Sequence, residues 1–197
     1  MIVTVASFMA GQAKTTTAVH LVALFNQRGP TLLVDGHPNR CATRWHQRKG
    51  FPFKVVNEKQ AMRFASDFEH VVMDMQAQPT KEDLKLLAGG CDLLIVPLTP
   101  DALSLDALFL FTDTLDIMDT DRFKILPTIV PPLPSREGEE LVSDLNEAGL
   151  PVFKTGIRRS KAFQKAALDG VLVKDVSDPY ASEAWRDYQT IAMEVLR

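Results

Sequence analysis

The sequence predicts a three-layer α/β fold, a mostly parallel sheet with helices on both faces, in one domain spanning residues 1–197. Two observations predict it. Short apolar, β-branched runs alternate with helical patterns, which calls for right-handed crossovers and parallel strands. The main strand candidates are also hydrophobic almost throughout, the mark of strands covered on both faces. With 46% hydrophobic and 24% charged residues, the chain has an ordinary globular composition and can bury a sizeable core.

The elements follow in order. "IVTVAS" (2–7) reads as the first strand and 14–28 as a helix stopped by Gly29-Pro30. "TLLVD" (31–35) is a second strand, 39–49 a short basic helix and "FKVV" (53–56) a short strand. "HVVMD" (70–74) is the next major strand, with a helix from about Thr80. "DLLIVPL" (92–98) precedes a helix over 103–118, and "FKILPTIV" (123–130) precedes a Pro-rich turn and a helix over 136–148. "PVFKTGI" (151–157) reads as a further strand, and helices near 160–169 and 180–196 finish the chain. In the last helix Trp185, Tyr188, Ile191, Ala192 and Val195 share one face, so it docks on the core.

No apolar run reaches the length of a membrane span, and Met-Ile-Val-Thr-Val is no signal peptide. Cys41 and Cys91 lack metal spacing and read as buried thiols of a cytoplasmic protein.

Chemistry in such sheets gathers at the C-terminal strand ends. Lys14-Thr15-Thr16 follows the first strand, Asp35 ends the second and Asp74 the third. That is the layout of P-loop nucleoside triphosphatases, in which loop amides and a helix N-terminus hold phosphates. Lys14 would neutralise phosphate charge, Thr15 would ligate Mg²⁺, and Asp74 would hold the metal's water shell.

"ASFMAGQAKTTTAVHL" resembles the deviant Walker A box, K-G-G-x-G-K-T-T, of the ParA/MinD family. "LLVDGHPNR", "HVVMDMQAQP", "LLIVPLTPDALSLDAL" and "TGIRRSKAFQKAALDGVLVKDV" resemble that family's later segments, and the similarity spans the chain. Within the family the chain is similar to the small McdA-like, carboxysome-positioning branch. The resemblance implies an ATP- and Mg²⁺-dependent homodimer that binds nucleoid DNA non-specifically. It also implies positioning of a carboxysome, plasmid or chromosome through an adaptor of the ParB/McdB type. It assigns Ala10, Gly11, Gln12, Ala13, Lys14, Thr15 and Thr16 to the nucleotide, Thr15, Asp35 and Asp74 to the metal, and Lys14, Asp35 and Lys154 to catalysis.

Five positions depart from the family pattern, one of them Gln76, where the family has a proline. Met9 replaces the signature lysine, which in the family crosses to the partner's phosphates. Lys154 is the candidate substitute, because in the McdA-like branch a lysine of that region supplies the contact; the alternative is a surface lysine at a strand end. Ala10 and Ala13 replace glycines, so phosphate binding requires that neither site need a left-handed backbone. His37 replaces the water-orienting aspartate and reads as a histidine hydrogen-bonded to backbone rather than a substitute base. Turnover is therefore expected to be weak or adaptor-dependent, the alternative being a nucleotide-binding scaffold without turnover.

Net charge is −3, yet basic residues cluster. Arg158, Arg159, Lys161 and Lys165 form the first candidate DNA footprint; Arg40, Arg44 and Arg48, at helical spacing, form the second.

Overall fold

The computed structural model describes residues 1–110 and 122–197. Its strands are β1 (Ile2–Ser7), β2 (Thr31–Asp35), β3 (Lys54–Asn57), β4 (His70–Ala77), β5 (Leu93–Leu98) and β6 (Phe123–Pro127). They form one sheet, in the order β3-β2-β4-β1-β5-β6, and every pairing is parallel. Its helices are α1 (Lys14–Phe25), α2 (Cys41–Lys49), α3 (Glu58–Phe64), α4 (Lys81–Gly89), α5 (Ala102–Phe109), α6 (Glu137–Glu147), α7 (Lys161–Asp169) and α8 (Ala181–Val195).

Because successive strand residues point to opposite faces, each strand feeds two cores. Val3, Val5, Leu33, Val72, Ile95 and Leu126 pack with α1, α2, α7 and α8. Ala6, Leu94, Val96, Phe123 and Ile125 face α4, α5 and α6, while Leu32, Val34 and Val56 meet α3. The uniformly hydrophobic strands thus follow from two-sided burial. Trp185, Tyr188, Ile191 and Ala192 of α8 are buried against α1, as its periodicity indicates.

Three expectations need correction. Residues 151–157 form no strand: an isolated parallel bridge joins Val152 to Ile125, and the Ile157 amide donates to the Pro127 carbonyl. Pro151 brings no N–H, and the chain bends at Lys154-Thr155. β6 likewise stops at Pro127, because Ile129 turns to φ 54°, outside strand geometry. Third, α3 was not read from the sequence, although "NEKQ" spells its capping box: Asn57 accepts from the Gln60 amide, whose side chain accepts from Asn57. The helix expected over 103–118 is seen as α5; its remainder from 111 lies outside the described residues. Both cysteines are free thiols, Cys91 buried and Cys41 only partly so.

The chain crosses β1 between β4 and β5, so the strand order reverses there. That crevice, outside the carboxyl ends of β1, β2 and β4, is where a ligand site belongs.

Candidate nucleotide site

Register builds the site first. β2 and β4 pair with Asp35 opposite Asp74, which sets two buried carboxylates side by side at the strand ends. β1 ends at Ser7 beside them, and residues 8–13 loop over to α1. Buried Phe8 anchors that loop in the core.

Gly11 sits at φ 82° and Ala13 at φ 61°, whereas Ala10 keeps a negative φ. The sequence condition is therefore met at position 10 and not at 13: Ala13 adopts the left-handed conformation glycine normally serves. The strain costs about 1 kcal/mol. In return the chain enters α1 with its first amides pointing out of the helix. No side chain caps that end, and its first turn carries no acid. An uncapped helix N-terminus is a ready anion site.

Lys14 is buried, its Nζ donating to Ser7 Oγ at 3.0 Å and to the Met9 carbonyl at 3.4 Å. Burial pushes its ammonium below the ordinary lysine range, against the pull of Asp74. Thr15 Oγ1 donates to Asp74 Oδ2 at 2.7 Å, while Asp74 Oδ1 is buried without a hydrogen-bond partner among the described residues. Burial pushes the Asp74 carboxyl up to about 7, the Thr15 hydrogen bond opposing and the Asp35 charge adding to the rise. A carboxylate with a spare buried oxygen, next to a threonine hydroxyl and a lysine, suits a hydrated Mg²⁺.

Asp35 is brought to the site, but its oxygens are engaged elsewhere. Oδ2 accepts from the Thr43 amide (2.8 Å) and hydroxyl (2.7 Å), and Oδ1 from the His37 amide (3.2 Å). It therefore caps α2 through Oδ2. His37 behaves as read: its Nδ1 accepts from the Asn39 amide at 3.1 Å.

Beside the loop lies a pocket of about 270 Å³, lined by Gly11, Ala13, Thr16, Ile129, Phe163 and Tyr188 among others. Its mainly apolar walls suit a flat base. Ile129 lines it in the left-handed region, a strained conformation for a β-branched residue and one common at binding sites.

Lys154 is not placed at the site. It is exposed on a bend rather than a strand, with no hydrogen bond or ion pair among the described residues. The first DNA footprint is also half consumed. Arg158 grips Asp187 through Nε (2.7 Å) and Nη2 (2.8 Å) and reaches Glu183 with Nη1, while Lys165 pairs with Asp178. Arg159 and Lys161 remain exposed. In the second footprint Arg40 stands at the left-handed N-cap of α2, off its face, and pairs with Glu58.

Sequence reasoning missed two supports of the loop. Gln12 is buried and its Nε2 donates to Ser104 Oγ at 2.9 Å, tying the loop to α5; nothing in the sequence signals that pair. His20 is fully buried, bonding the Thr16 carbonyl at 2.7 Å through Nδ1 and accepting from the Val173 amide at 3.1 Å through Nε2. Its ring stacks on Tyr188, centroids 4.9 Å apart, and meets Trp45, Phe163 and Trp185. A histidine four residues after Thr16 on an apolar face was the available signal.

Comparison with known proteins decides the family. Residues 3–173 match the CobQ/CobB/MinD/ParA nucleotide binding domain. The chain belongs to that family. Along its whole length it is 30% identical to maintenance of carboxysome distribution protein A of Gloeobacter kilaueensis, of which the match covers 94%. It superposes on an ATP complex of a Cyanothece McdA variant with a TM-score of 0.75 at 16% identity, over 99% of this chain and 95% of that one. Aquifex aeolicus MinD, in its complex with MinC, gives 0.69 at 14% identity over 99% and 95%. The resemblance read from the sequence, to the ParA/MinD family and its McdA-like branch, thus holds, as does the α/β fold.

His20 carries a pH prediction for this nucleotide-binding domain. Burial holds its ring neutral, with the pKa lowered to about 4. Between pH 6.5 and about 4 the unfolded chain takes up a proton that the folded chain refuses. Stability is therefore intact above 6.5 and falls with pH, by roughly 3 kcal/mol at the acid end. Urea unfolding across this range should show a steeper decline in the wild type than in His20→Phe. Parallel declines would refute a neutral buried imidazole.

Proposed function

We propose that the chain binds ATP with Mg²⁺, dimerises around the nucleotide, and as a dimer holds nucleoid DNA without sequence preference. In this reading it spaces a cargo along the nucleoid through an adaptor protein, and carboxysome distribution is the assignment its relative favours. The observation that carries the reading is the uncapped start of α1 beside Lys14, with Thr15 bonded to an Asp74 that keeps a spare buried oxygen. The ATP complex of a structural neighbour and the MinC partnership of another support it by analogy. No helix among the described residues is long and apolar enough to cross a membrane.

The chain's own residues divide the work. Loop amides and the α1 N-terminus bind phosphates, Lys14 neutralises them, and Thr15 with Asp74 holds the metal, which supplies further charge at the phosphates. Gly11 and Ala13 set the loop's path, and Gln12 fixes it from behind. Lys154, exposed and without a partner among the described residues, is offered as the cation that reaches the second protomer's phosphates.

His37 favours slow turnover. Its backbone-held Nδ1 leaves no carboxylate to orient a water where the family places one. His37→Asp should raise phosphate release about tenfold or more with ATP affinity unchanged. Phosphate release with and without DNA and adaptor separates this reading from the second one, a nucleotide-binding scaffold without turnover. An unchanged His37→Asp rate with intact binding favours the scaffold.

In this reading α2 is the preferred DNA face. Arg44, Arg48 and Lys49 are exposed there, although Arg48 Nη1 also donates to the Ala167 carbonyl, whereas the other face spends Arg158 and Lys165 on ion pairs. Three phosphate contacts per protomer, about six per dimer, would cost roughly a thousandfold in affinity between 50 and 200 mM salt. Anisotropy with two unrelated duplexes should give the same steep slope for both, and Arg44→Ala/Lys49→Ala should flatten it. An unaltered slope in that variant returns the footprint to Arg159 and Lys161.

A further inference from the structure

We propose that the groove between the Pro-rich turn and the start of α8 binds an acidic peptide segment of a partner protein, anchored by an apolar side chain. The groove encloses about 780 Å³. Pro132, Leu133, Pro179 and Tyr180 give it a hydrocarbon floor, and two of these are unusually open, Leu133 at 83% and Tyr180 at 61% exposed. Large apolar side chains left open beside one another mark a surface that something covers.

Charge selects the occupant. Four basic residues and two acids line the groove, and both acids are ion-paired: Asp178 with Lys165 at 2.5 Å and Glu183 with Arg158, which it shares with Asp187. Arg159 and Lys161 are left on the rim, exposed and without a counter-charge among the described residues. An acidic segment completes both pairs while its apolar residue covers Leu133 and Tyr180. Nucleic acid fits less well. Two uncommitted cations supply little phosphate binding, and a phosphate backbone leaves the floor bare.

The groove also shares a wall with the nucleotide pocket. Arg158, Arg159 and Ser160 line both. A bound peptide therefore bears on the segment that closes the base pocket, so its affinity depends on nucleotide. That dependence rests on the ATP-binding reading; the groove's preference for an acidic peptide does not.

The test is a display selection of short acid-rich peptides on the full chain, followed by anisotropy of a labelled winner. Enriched sequences should pair acids with a Leu, Phe or Trp, and their binding should weaken about tenfold in Lys161→Glu and separately in Tyr180→Ala. The Mg·ATP thermal shift should be the same in both variants as in the wild type. Selection of no acidic peptide overturns the proposal, and so does binding that both variants leave untouched. Displacement of the peptide by a short duplex that itself fails to bind Lys161→Glu also overturns it, and makes the groove a nucleic-acid site. If peptide binding is lost in the variants but indifferent to Mg·ATP, the groove assignment stands and the ATP coupling falls.

Discussion

Asp74→Asn will make the ligand-free protein more stable and at the same time remove its response to Mg·ATP. Both effects come from one carboxyl. Its pKa of about 7 lies well above the ordinary 3.8, because burial penalises the charge. The folded chain therefore keeps a proton that the unfolded chain has released. The cost to stability begins above pH 3.8, grows as pH rises, and is complete above about 7. At about pH 8 the wild type carries a penalty of roughly 2–4 kcal/mol that an amide escapes. Asparagine also still accepts from Thr15 Oγ1, so the local geometry survives. Urea unfolding should show the variant's advantage at pH 8 shrinking steadily towards pH 4. The same carboxylate is the metal's anchor, so added Mg·ATP should stabilise the wild type and leave the variant unmoved. A variant no more stable than the wild type at pH 8 would show that Asp74 is not buried and charged there. A variant that still responds to Mg·ATP would remove it from the metal site.

Lys14→Ala is expected to abolish nucleotide binding with little change in the free fold. In the ligand-free protein the ammonium merely fills its pocket against Ser7 and the Met9 carbonyl, at a desolvation cost. Against a triphosphate it is the loop's only charged side chain. A saturating ligand at a hundred times its Kd stabilises a protein by about 2.7 kcal/mol. Loss of that gain in Lys14→Ala, by calorimetry and thermal shift, is the expected result. Retained heat of binding would move the phosphate site away from the start of α1.

The sheet was legible because two-sided burial writes itself into composition: β1, β2, β4 and β5 are continuous apolar runs. The 151–157 segment is equally apolar, with Val152, Phe153 and Ile157 buried, yet it makes an isolated bridge rather than a ladder. Burial was readable there and hydrogen bonding was not, since the two part company where a proline and a bend interrupt the backbone. The site followed the same division. Lys14, Thr15 and Asp74 converge because α1 starts just beyond the end of β1, the neighbour of β4. Asp35 occupies the right strand end too, but its partner Thr43 arrives from α2, and no local pattern announces a side chain capping a helix six residues away. The ion pairs that remove Arg158 and Lys165 from the free surface join residues well apart in the chain. Counting basic residues within a window could not see them.

The left-handed backbone at Ala13 also governs which sequences can occupy this loop. Alanine tolerates φ 61° at modest cost, and asparagine or aspartate tolerate it through local hydrogen bonds. An aspartate would set a negative charge where phosphate is expected. A valine, isoleucine or threonine would force the backbone to another basin and redirect the first amides of α1. The mutational spectrum open to position 13 is therefore narrow: glycine, alanine and asparagine. A library randomised at that codon and sorted for ATP retention should return little else, and a return of valine, isoleucine or threonine would show that nucleotide binding does not need the left-handed backbone at position 13.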